Sequence, residues 1–204
     1  MNKVTHEENS VRDKIMDTAI PLFAMKGFSG VTVRELSKEA GVNIALISYY
    51  FGGKEKLYAH LLTTHFDLID AMMITIQKNE LPPKERILLF QKLIIKFHGE
   101  HPFFMRLAIS EIINPTSCYE SIVKPGIGKL NHFLKNCVED GIAAGEFRSD
   151  LDLAVVALSF MSVISFYFLS WPLGGDLLEK KDGKPDQYIS QSFELLFRGI
   201  LKKE

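Results

Sequence analysis

Two short segments bounded by glycines constrain the fold more than any other part of this sequence. The first begins with the run TVRE at Thr32, which has the pattern of a helix capping box, and it ends at Gly41. The second begins at Asn43, a residue type that commonly caps helices, and it ends at the Gly52-Gly53 pair. Each segment has room for about two helical turns. The pattern therefore predicts two short helices joined by a tight turn.

The N-terminal part of the chain predicts one helix that precedes these two. Ile15 and Ala19 belong to an apolar series with the i, i+4, i+8 spacing of one helical face. Gly27 is expected to end this helix, and Pro21 is expected to kink its last turn. The polar residues 1–10 are expected to form a frayed tail.

The remaining sequence also predicts helices, because each interruption coincides with a proline or a glycine and no segment alternates like a strand. The predicted helices cover residues 54–78, 84–97, 102–114, 119–144 with a break at Pro125-Gly126, 151–171 and 185–202. We therefore expect an all-α fold of about nine helices. Residues 1–55 are expected to form a three-helix first domain, and residues 56–204 a larger helical body.

Composition and charge narrow the class of protein. The 204 residues include only two cysteines, Cys118 and Cys137, which excludes a disulfide framework and leaves any redox role of these thiols open. The first residues lack the apolar segment of a signal peptide, so a reducing cytoplasm is the expected compartment. The net charge is −1, so any contact with nucleic acid must come from locally placed side chains.

Enzyme motifs do not occur in the sequence. It contains no GxSxG, HExxH or GxxxxGK[ST] motif and no pair of Glu-x-x-His motifs. We therefore expect no catalytic residues and no cofactor.

The two short helices match a helix-turn-helix, in which the second helix enters a major groove of DNA. Helical periodicity places Ile44, Ile47 and Phe51 inward with Val42. The residues left to face DNA are Asn43, Ala45, Leu46, Ser48 and Tyr49. Amides and hydroxyls can form hydrogen bonds with base edges, and apolar side chains can contact thymine methyl groups.

Thr32, Tyr49, Tyr50 and Lys54 are candidates for phosphate contacts. Lys54 lies in the first turn of the next helix, where the positive end of the helix dipole disfavours a cation unless an anion binds both. A phosphate held by the ammonium and by the backbone amides after Gly52-Gly53 would meet this requirement. Structural alternatives stay open: Lys54 can be solvated, Thr32 and Asn43 can act only as helix caps, and Tyr50 can serve only packing.

The run IMDTAIPLFAMKGFSGVTVRELSKEAGVNIALISYYFGGKEKLY, beginning at Ile15, resembles the amino-terminal domain of TetR/AcrR-type transcriptional regulators. Gly27, Thr32, the AGV turn, the Tyr-Phe pair and Lys54-Glu55 all occur in register. The resemblance implies an all-helical homodimer that binds a palindromic operator and represses until a small molecule binds the body. It also implies which positions lie nearest DNA: Thr32, Asn43, Ala45, Leu46, Ser48, Tyr49, Tyr50 and Lys54.

The sequence departs from the family pattern at two places. Ile44 and Ser48 stand where the family often has a basic residue and a tyrosine, and Gly52-Gly53 replaces a more usual proline or serine. The base preference is therefore not transferable. The operator, the effector, the target genes and the choice between repression and activation stay open.

Residues 153–175 form an uncharged span that is long enough to cross a membrane. Four serines interrupt the span, and neither flank has the clustered basic residues that orient a membrane helix. We therefore expect a buried helix and no membrane partner. Residues 151–171 and 186–202 from two chains are expected to form a four-helix homodimer interface, which agrees with the resembled family.

Aromatic and histidine residues concentrate in the body, as in apolar ligand pockets with a few polar anchors. The candidates for contacting a small apolar or amphipathic effector are His98, His101, Phe104, Phe133, Tyr167 and Trp171. Ordinary core packing is the alternative for each of them. A metal site at His98, Glu100 and His101 is not expected, because these offsets diverge around a helix end and no further cluster completes the site.

Two functions from different classes follow from these observations. In the first, the chain is a ligand-responsive DNA-binding regulator, and the helix over residues 54–78 moves the first domain when a ligand tilts it. In the second, it is a helical bundle whose aromatic body binds lipid or carries out chemistry, and the first domain serves only packing. The helix-turn-helix pattern favours the regulator.

Overall fold

The computed structural model of the chain describes residues 2–177 and 185–202, with side chains described for residues 11–170 and 187–202. Within those residues the fold is helical with no strand, which confirms the predicted all-α class. Phe147 and Leu201 form an isolated antiparallel bridge. The helices of the described chain are α1 (Asn2–Lys26), α2 (Val33–Ala40), α3 (Ile44–Phe51), α4 (Lys54–Lys78), α5 (Pro83–Glu100), α6 (Phe104–Ile113), a π-helical segment (Tyr119–Val123), α7 (Lys124–Ala143), α8 (Leu153–Leu177) and α9 (Pro185–Ile200).

The chain forms two compact units. The first unit contains Met1–Asp67 and Arg106–Lys124, and the second unit contains Leu68–Met105 and Pro125–Glu204. Helix α4 contributes residues to both units, since it runs without interruption from Lys54 to Lys78. The predicted domain boundary at residue 55 remains a prediction.

The core of the first unit follows from the apolar face of α1. Ile15, Ala19 and Phe23 have the predicted four-residue spacing, and all three are buried. The apolar residues of α2 and α3 that are also buried in this unit are Leu36, Ala40, Ile47 and Phe51. The phenol ring of Tyr58 in α4 meets the ring of Phe23 edge to face at 4.9 Å between centroids.

The predicted helix bounds need three corrections. Helix α1 begins at Asn2, so the prediction of a frayed tail over residues 1–10 is wrong. The predicted break at Pro125-Gly126 is also wrong, because the π-helical segment runs directly into α7 and the helix continues through both residues. The wider π-helical turn, in which the Lys124 N–H donates to the Tyr119 carbonyl, accommodates a residue that lacks an N–H. Helix α8 continues beyond Trp171 to Leu177.

The second unit contains an aromatic core between α8 and α9. The ring of Phe160 lies 4.8 Å from that of Phe193 and 5.3 Å from that of Phe197, measured between centroids. On α7, Gly141 allows the buried Phe147 ring to approach closely, because a Cβ atom at Gly141 would lie 2.2 Å from a ring carbon of Phe147. The end of α7 is therefore closely packed against Phe147, the residue that forms the bridge with Leu201.

Candidate nucleic-acid interface and effector groove

The turn between α2 and α3 is built as the sequence predicts. Gly41 has the left-handed φ of 59°, and its backbone N–H donates to the carbonyls of Ser37 and Lys38. Asn43 caps α3, since its side-chain Oδ1 accepts a hydrogen bond from the amide of Ala45 at 2.9 Å. The capping alternative for Asn43 is therefore confirmed, and its side-chain NH₂ group retains donor capacity.

Helix α3 has one buried face and one exposed face. Ile47 and Phe51 are buried, as predicted. The exposed face consists of Ile44, Ala45, Ser48 and Tyr49, with the Tyr49 side chain 73% exposed. Two more predicted DNA-facing residues, Leu46 and Tyr50, are half-buried on a flank of the helix.

The prediction that Ile44 faces inward is wrong, because this side chain is 48% exposed. Ile44 and Phe51 have nearly the same azimuth on the helix, so periodicity alone assigns both to the core. They are separated by about 10 Å along the helix axis, however. Arg12 of α1 and His60 of α4 cover the ring of Phe51, whereas Ile44 lies about two turns away, at the other end of α3.

Lys54 has a structural role that the sequence argument did not foresee. Its Nζ donates hydrogen bonds to the carbonyl oxygens of Phe28, at 3.1 Å, and Val31, at 3.0 Å. The ammonium also lies 4.1 Å from the centroid of the Phe28 ring. Lys54 thus holds the loop between α1 and α2 against the start of α4, and the alternative of a simply solvated lysine is wrong. An ammonium has three N–H donors, so one is left for a phosphate.

The start of α2 confirms the predicted cap. The hydroxyl oxygen of Thr32 accepts a hydrogen bond from the amide of Glu35 at 3.1 Å, and Thr32 is exposed. The carboxylate of Glu35 forms an ion pair with Lys26 of α1. The hydrogen bond from Lys26 is the main reason why the pKa of Glu35 lies below its usual value, and the backbone amide of Thr32 contributes less.

Arg12 and His60 connect α1 to α4 beside the end of α3. Arg12 donates from Nη2 to Nε2 of His60 at 2.8 Å, and its guanidinium lies 5.7 Å from the centroid of the Phe51 ring. Burial, and then the charge of Arg12, lower the pKa of His60. Because a guanidinium can only donate, His60 must be neutral to accept this hydrogen bond. Sequence reasoning missed this pair, since 48 residues separate its members.

The second unit has a groove of about 370 Å³ between α4 and α5. Its walls are mainly apolar, and three of the lining residues are charged or titratable. The lining residues are Leu68, Ala71, Met72, Thr75, Leu93, Lys96, Phe97, Glu100 and His101. The volume lies at the lower end of the range for small-molecule pockets.

Four of the six predicted effector-contacting residues form one aromatic cluster. They are His98, His101, Phe104 and Tyr167, connected through Phe97 and Phe168 with ring centroids 4.4–5.5 Å apart. His101 lines the groove, whereas His98, Phe104 and Tyr167 are buried. Phe133 instead contacts Phe90, with ring centroids 5.5 Å apart. The side chain of Trp171 lies outside the described residues.

The described residues contain no group of three or more histidine, cysteine or acidic side chains that could hold a metal ion. Of the residues considered for a metal site, His98 is buried, and Glu100 is exposed and paired with Lys96 at 3.7 Å.

Helix α8 has an apolar face without cover in the single chain. Within the described residues, Leu153–Ser170 is long and apolar enough to cross a membrane, and only 28% of this stretch is buried. Its exposed large side chains recur at the spacing of one helical face: Val155, Leu158, Phe166 and Leu169. Helix α9 adds the exposed Leu195. Exposed apolar surfaces of this size are typical of sites that contact another protein or a membrane.

Two family models match the chain. The model described as "Bacterial regulatory proteins, tetR family" matches residues 15–61, which include α2, α3 and the start of α4. The model described as "Tetracyclin repressor-like, C-terminal domain" matches residues 83–190. The matched regions therefore include both the helix-turn-helix and most of the helices of the second unit.

Similar proteins and structures cover almost the whole chain. A Bacillus subtilis protein described as "Probable HTH-type transcriptional regulator YttP" is 28% identical over 181 residues, which are 88% of this chain and 87% of YttP. The HTH-type transcriptional repressor NicS of Pseudomonas putida is 25% identical over 201 residues, covering 95% and 94%.

Among solved structures, HlyIIR, a hemolysin II transcriptional regulator, is similar with a TM-score of 0.73, 23% identity and coverage of 96% and 99%. The ketosteroid transcriptional regulator KstR2 of Mycobacterium tuberculosis has a TM-score of 0.71, 20% identity and coverage of 94% and 95%. These structures show that the fold is shared.

Proposed function

Since the chain belongs to the tetR family of bacterial regulatory proteins, which are transcription regulators and not enzymes, we propose that it is a ligand-responsive repressor. It binds a palindromic operator as a homodimer in the cytoplasm and leaves the DNA when a small apolar or amphipathic effector binds. The observation that carries this proposal is the exposed face of α3. The helix lies between the turns at Gly41 and Gly52, and its opposite face is buried through Ile47 and Phe51.

The DNA contacts are assigned by exposure and chemistry. Ser48 and the side-chain NH₂ group of Asn43 form hydrogen bonds with base edges, and Ala45 and Leu46 contact thymine methyl groups. Phosphate contacts come from the hydroxyls of Tyr49, Tyr50 and Thr32 and from the third N–H of Lys54. Lys54 is then a positioning residue as well as a phosphate ligand, because the same ammonium fixes the loop before α2.

The homodimer forms through residues 151–171 and 186–202. The exposed apolar side chains of α8 and Leu195 of α9 support this assignment, since a partner chain would cover them. Two copies related by a two-fold axis present two α3 helices, and a palindromic operator matches that symmetry.

The effector binds in the second unit. The groove between α4 and α5 offers a mainly apolar wall that includes Lys96, and its lining residues Phe97 and His101 belong to the aromatic cluster. Four of its lining residues belong to α4, the helix whose first residue holds the α1–α2 loop. A ligand that shifts α4 therefore changes how the reading helix is held, and operator and effector must weaken each other's binding reciprocally.

The test begins by selecting duplexes that the purified chain binds from a random-sequence pool. We expect a two-fold symmetric consensus and an affinity that falls steeply as salt rises. Tyr49→Ala tests the reading face: it should weaken binding without unfolding the chain, because Tyr49 is exposed. Binding that is absent, or insensitive to salt, would contradict the proposal and favour the helical-bundle alternative.

The effector site has its own experiment. The amphipathic fluorophore 1-anilinonaphthalene-8-sulfonate serves as the probe, with fluorescence and operator affinity measured together. Ala71→Trp, which fills the groove, should reduce probe binding and leave operator binding intact, whereas Ala144→Trp at an exposed position outside the groove should change neither. Equal probe binding by both variants would place the effector elsewhere.

A further inference from the structure

The exposed face of α3 begins with apolar side chains and carries no charge. No residue from Val42 to Gly53 is charged. Ile44 and Ala45 lie in the first turn, and the hydroxyls of Ser48 and Tyr49 follow in the second. Ile44 is 48% exposed although it is a large aliphatic residue, so a substantial apolar surface lies at the end of the helix that a helix-turn-helix directs to base edges.

The major groove offers one feature that an aliphatic side chain can recognise. Thymine carries a C5-methyl group there, whereas the edges of the other bases present hydrogen-bond donors and acceptors. An isoleucine cannot donate or accept a hydrogen bond, so it can contact neither a phosphate nor a base heteroatom favourably. If Ile44 contacts DNA at all, burial against a methyl group is the favourable outcome.

We propose that Ile44 is a specificity-determining residue that reads a thymine methyl group in each half of the operator. This inference rests on the proposed function and extends it. Asn43 and Ser48 then supply hydrogen bonds on either side, and the Ile44 contact selects thymine at one position of the half-site, in addition to the methyl contacts of Ala45 and Leu46.

Neighbouring residues are less suited to this contact. Ala45 is exposed but offers one methyl group, and Leu46 is half-buried on a flank of α3. Tyr49 ends in a hydroxyl that can reach a phosphate. Ile44 therefore has the largest exposed aliphatic side chain on this face, and its loss should remove the methyl preference.

Deoxyuridine in place of thymidine tests the proposal, because the two nucleosides differ only by the methyl group. Each thymine of the selected operator is replaced in turn, and affinities are measured by fluorescence anisotropy. The affinity of the wild type should fall about fourfold when the thymine is replaced at one position of one half-site, because one methyl contact is lost. It should fall about fifteenfold when the same position is changed in both half-sites. Replacement at other positions should have smaller effects.

Ile44→Ala provides the decisive comparison. This variant should bind the thymine operator more weakly and should not distinguish thymine from uracil at the sensitive position. Ser48→Ala is the control, and it should keep the full discrimination. Because Ile44 is half exposed, its truncation should leave the thermal unfolding midpoint nearly unchanged.

Two results would overturn the inference and leave the proposed function intact. Wild type could bind every uracil-substituted operator as tightly as the thymine operator, or Ile44→Ala could keep the discrimination. A chain that binds no duplex specifically would instead refute the proposed function itself, and this inference with it.

Discussion

Replacing Lys54 with methionine tests whether the first residue of α4 holds the DNA-binding unit together. Methionine keeps an unbranched stem but removes the ammonium. The substitution therefore deletes the hydrogen bonds to the carbonyls of Phe28 and Val31 and the contact with the Phe28 ring. The loop between α1 and α2 would keep the contact of the Phe28 ring with Tyr58 of α4, 5.0 Å between centroids, but would lose the three contacts made by the ammonium.

The expected cost follows from these three contacts. Hydrogen bonds from a charged donor are worth about 1.5–3 kcal/mol each, and a cation over an aromatic ring adds about 0.5–1 kcal/mol at exposed sites. Lys54 is half-buried, so water replaces part of each contact and the low end applies. Removing a cation from the positive end of α4 stabilises the fold by about 0.3–1 kcal/mol, which offsets part of this cost. We expect a net loss of about 2.5–3 kcal/mol in the free energy of unfolding.

Urea unfolding followed by circular dichroism measures this loss, at one protein concentration because the chain is proposed to dimerise. Lys56→Met is the matched control, since Lys56 is an exposed lysine in the same first turn and should change stability by less than about 0.5 kcal/mol. A lysine that served only as a phosphate ligand would give the opposite sign, because its removal relieves the unfavourable helix dipole. Unchanged or increased stability of Lys54→Met would refute the reasoning.

Three further predictions concern pH, packing and assembly. Burial and the charge of Arg12 lower the pKa of His60, so the stability that this pair contributes is present above pH 6.5 and is lost as the pH falls below it. His60→Gln can still accept a hydrogen bond from Arg12, so its urea unfolding midpoint should depend less on pH between about pH 7 and 5 than that of the wild type. Gly141→Ala should cost about 1–3 kcal/mol by overpacking against a buried ring, whereas Gly128→Ala on the same helix, where nothing lies within 4 Å, should gain up to about 1 kcal/mol in thermal melts. Leu158→Glu should convert a dimer to a 23.1 kDa monomer in sedimentation, and a variant that still sediments as a dimer would exclude α8 from the interface.

Local signals allowed much of the first unit to be predicted. Thr32 and Asn43 cap α2 and α3 through hydrogen bonds that span two or three residues, and Gly41 and Gly52 end those helices with left-handed φ angles. Such features depend on a few adjacent residues, so the sequence contains nearly all the information needed to place them.

The features that the sequence did not predict depend on distant parts of the chain. Lys54 donates to carbonyls 23 and 26 residues away, and no helix-end preference indicates that partner. Ile44 has the periodicity of a core residue, but Arg12 and His60 pack against Phe51 at the other end of α3, and Ile44 is exposed. The effector residues were predicted as one group, and the separation of Phe133 from the aromatic cluster reflects the packing of α7.

Thiol protection measures whether operator DNA covers the exposed face of α3. Ala45→Cys introduces an accessible thiol on that face, while the native Cys118 and Cys137 are buried and should react slowly with maleimide. Glu85→Cys, at an exposed position on α5, is the control. Saturating operator should protect position 45 from alkylation and leave position 85 reactive. Equal alkylation of both thiols on operator-bound protein would contradict the assignment of α3 as the reading helix.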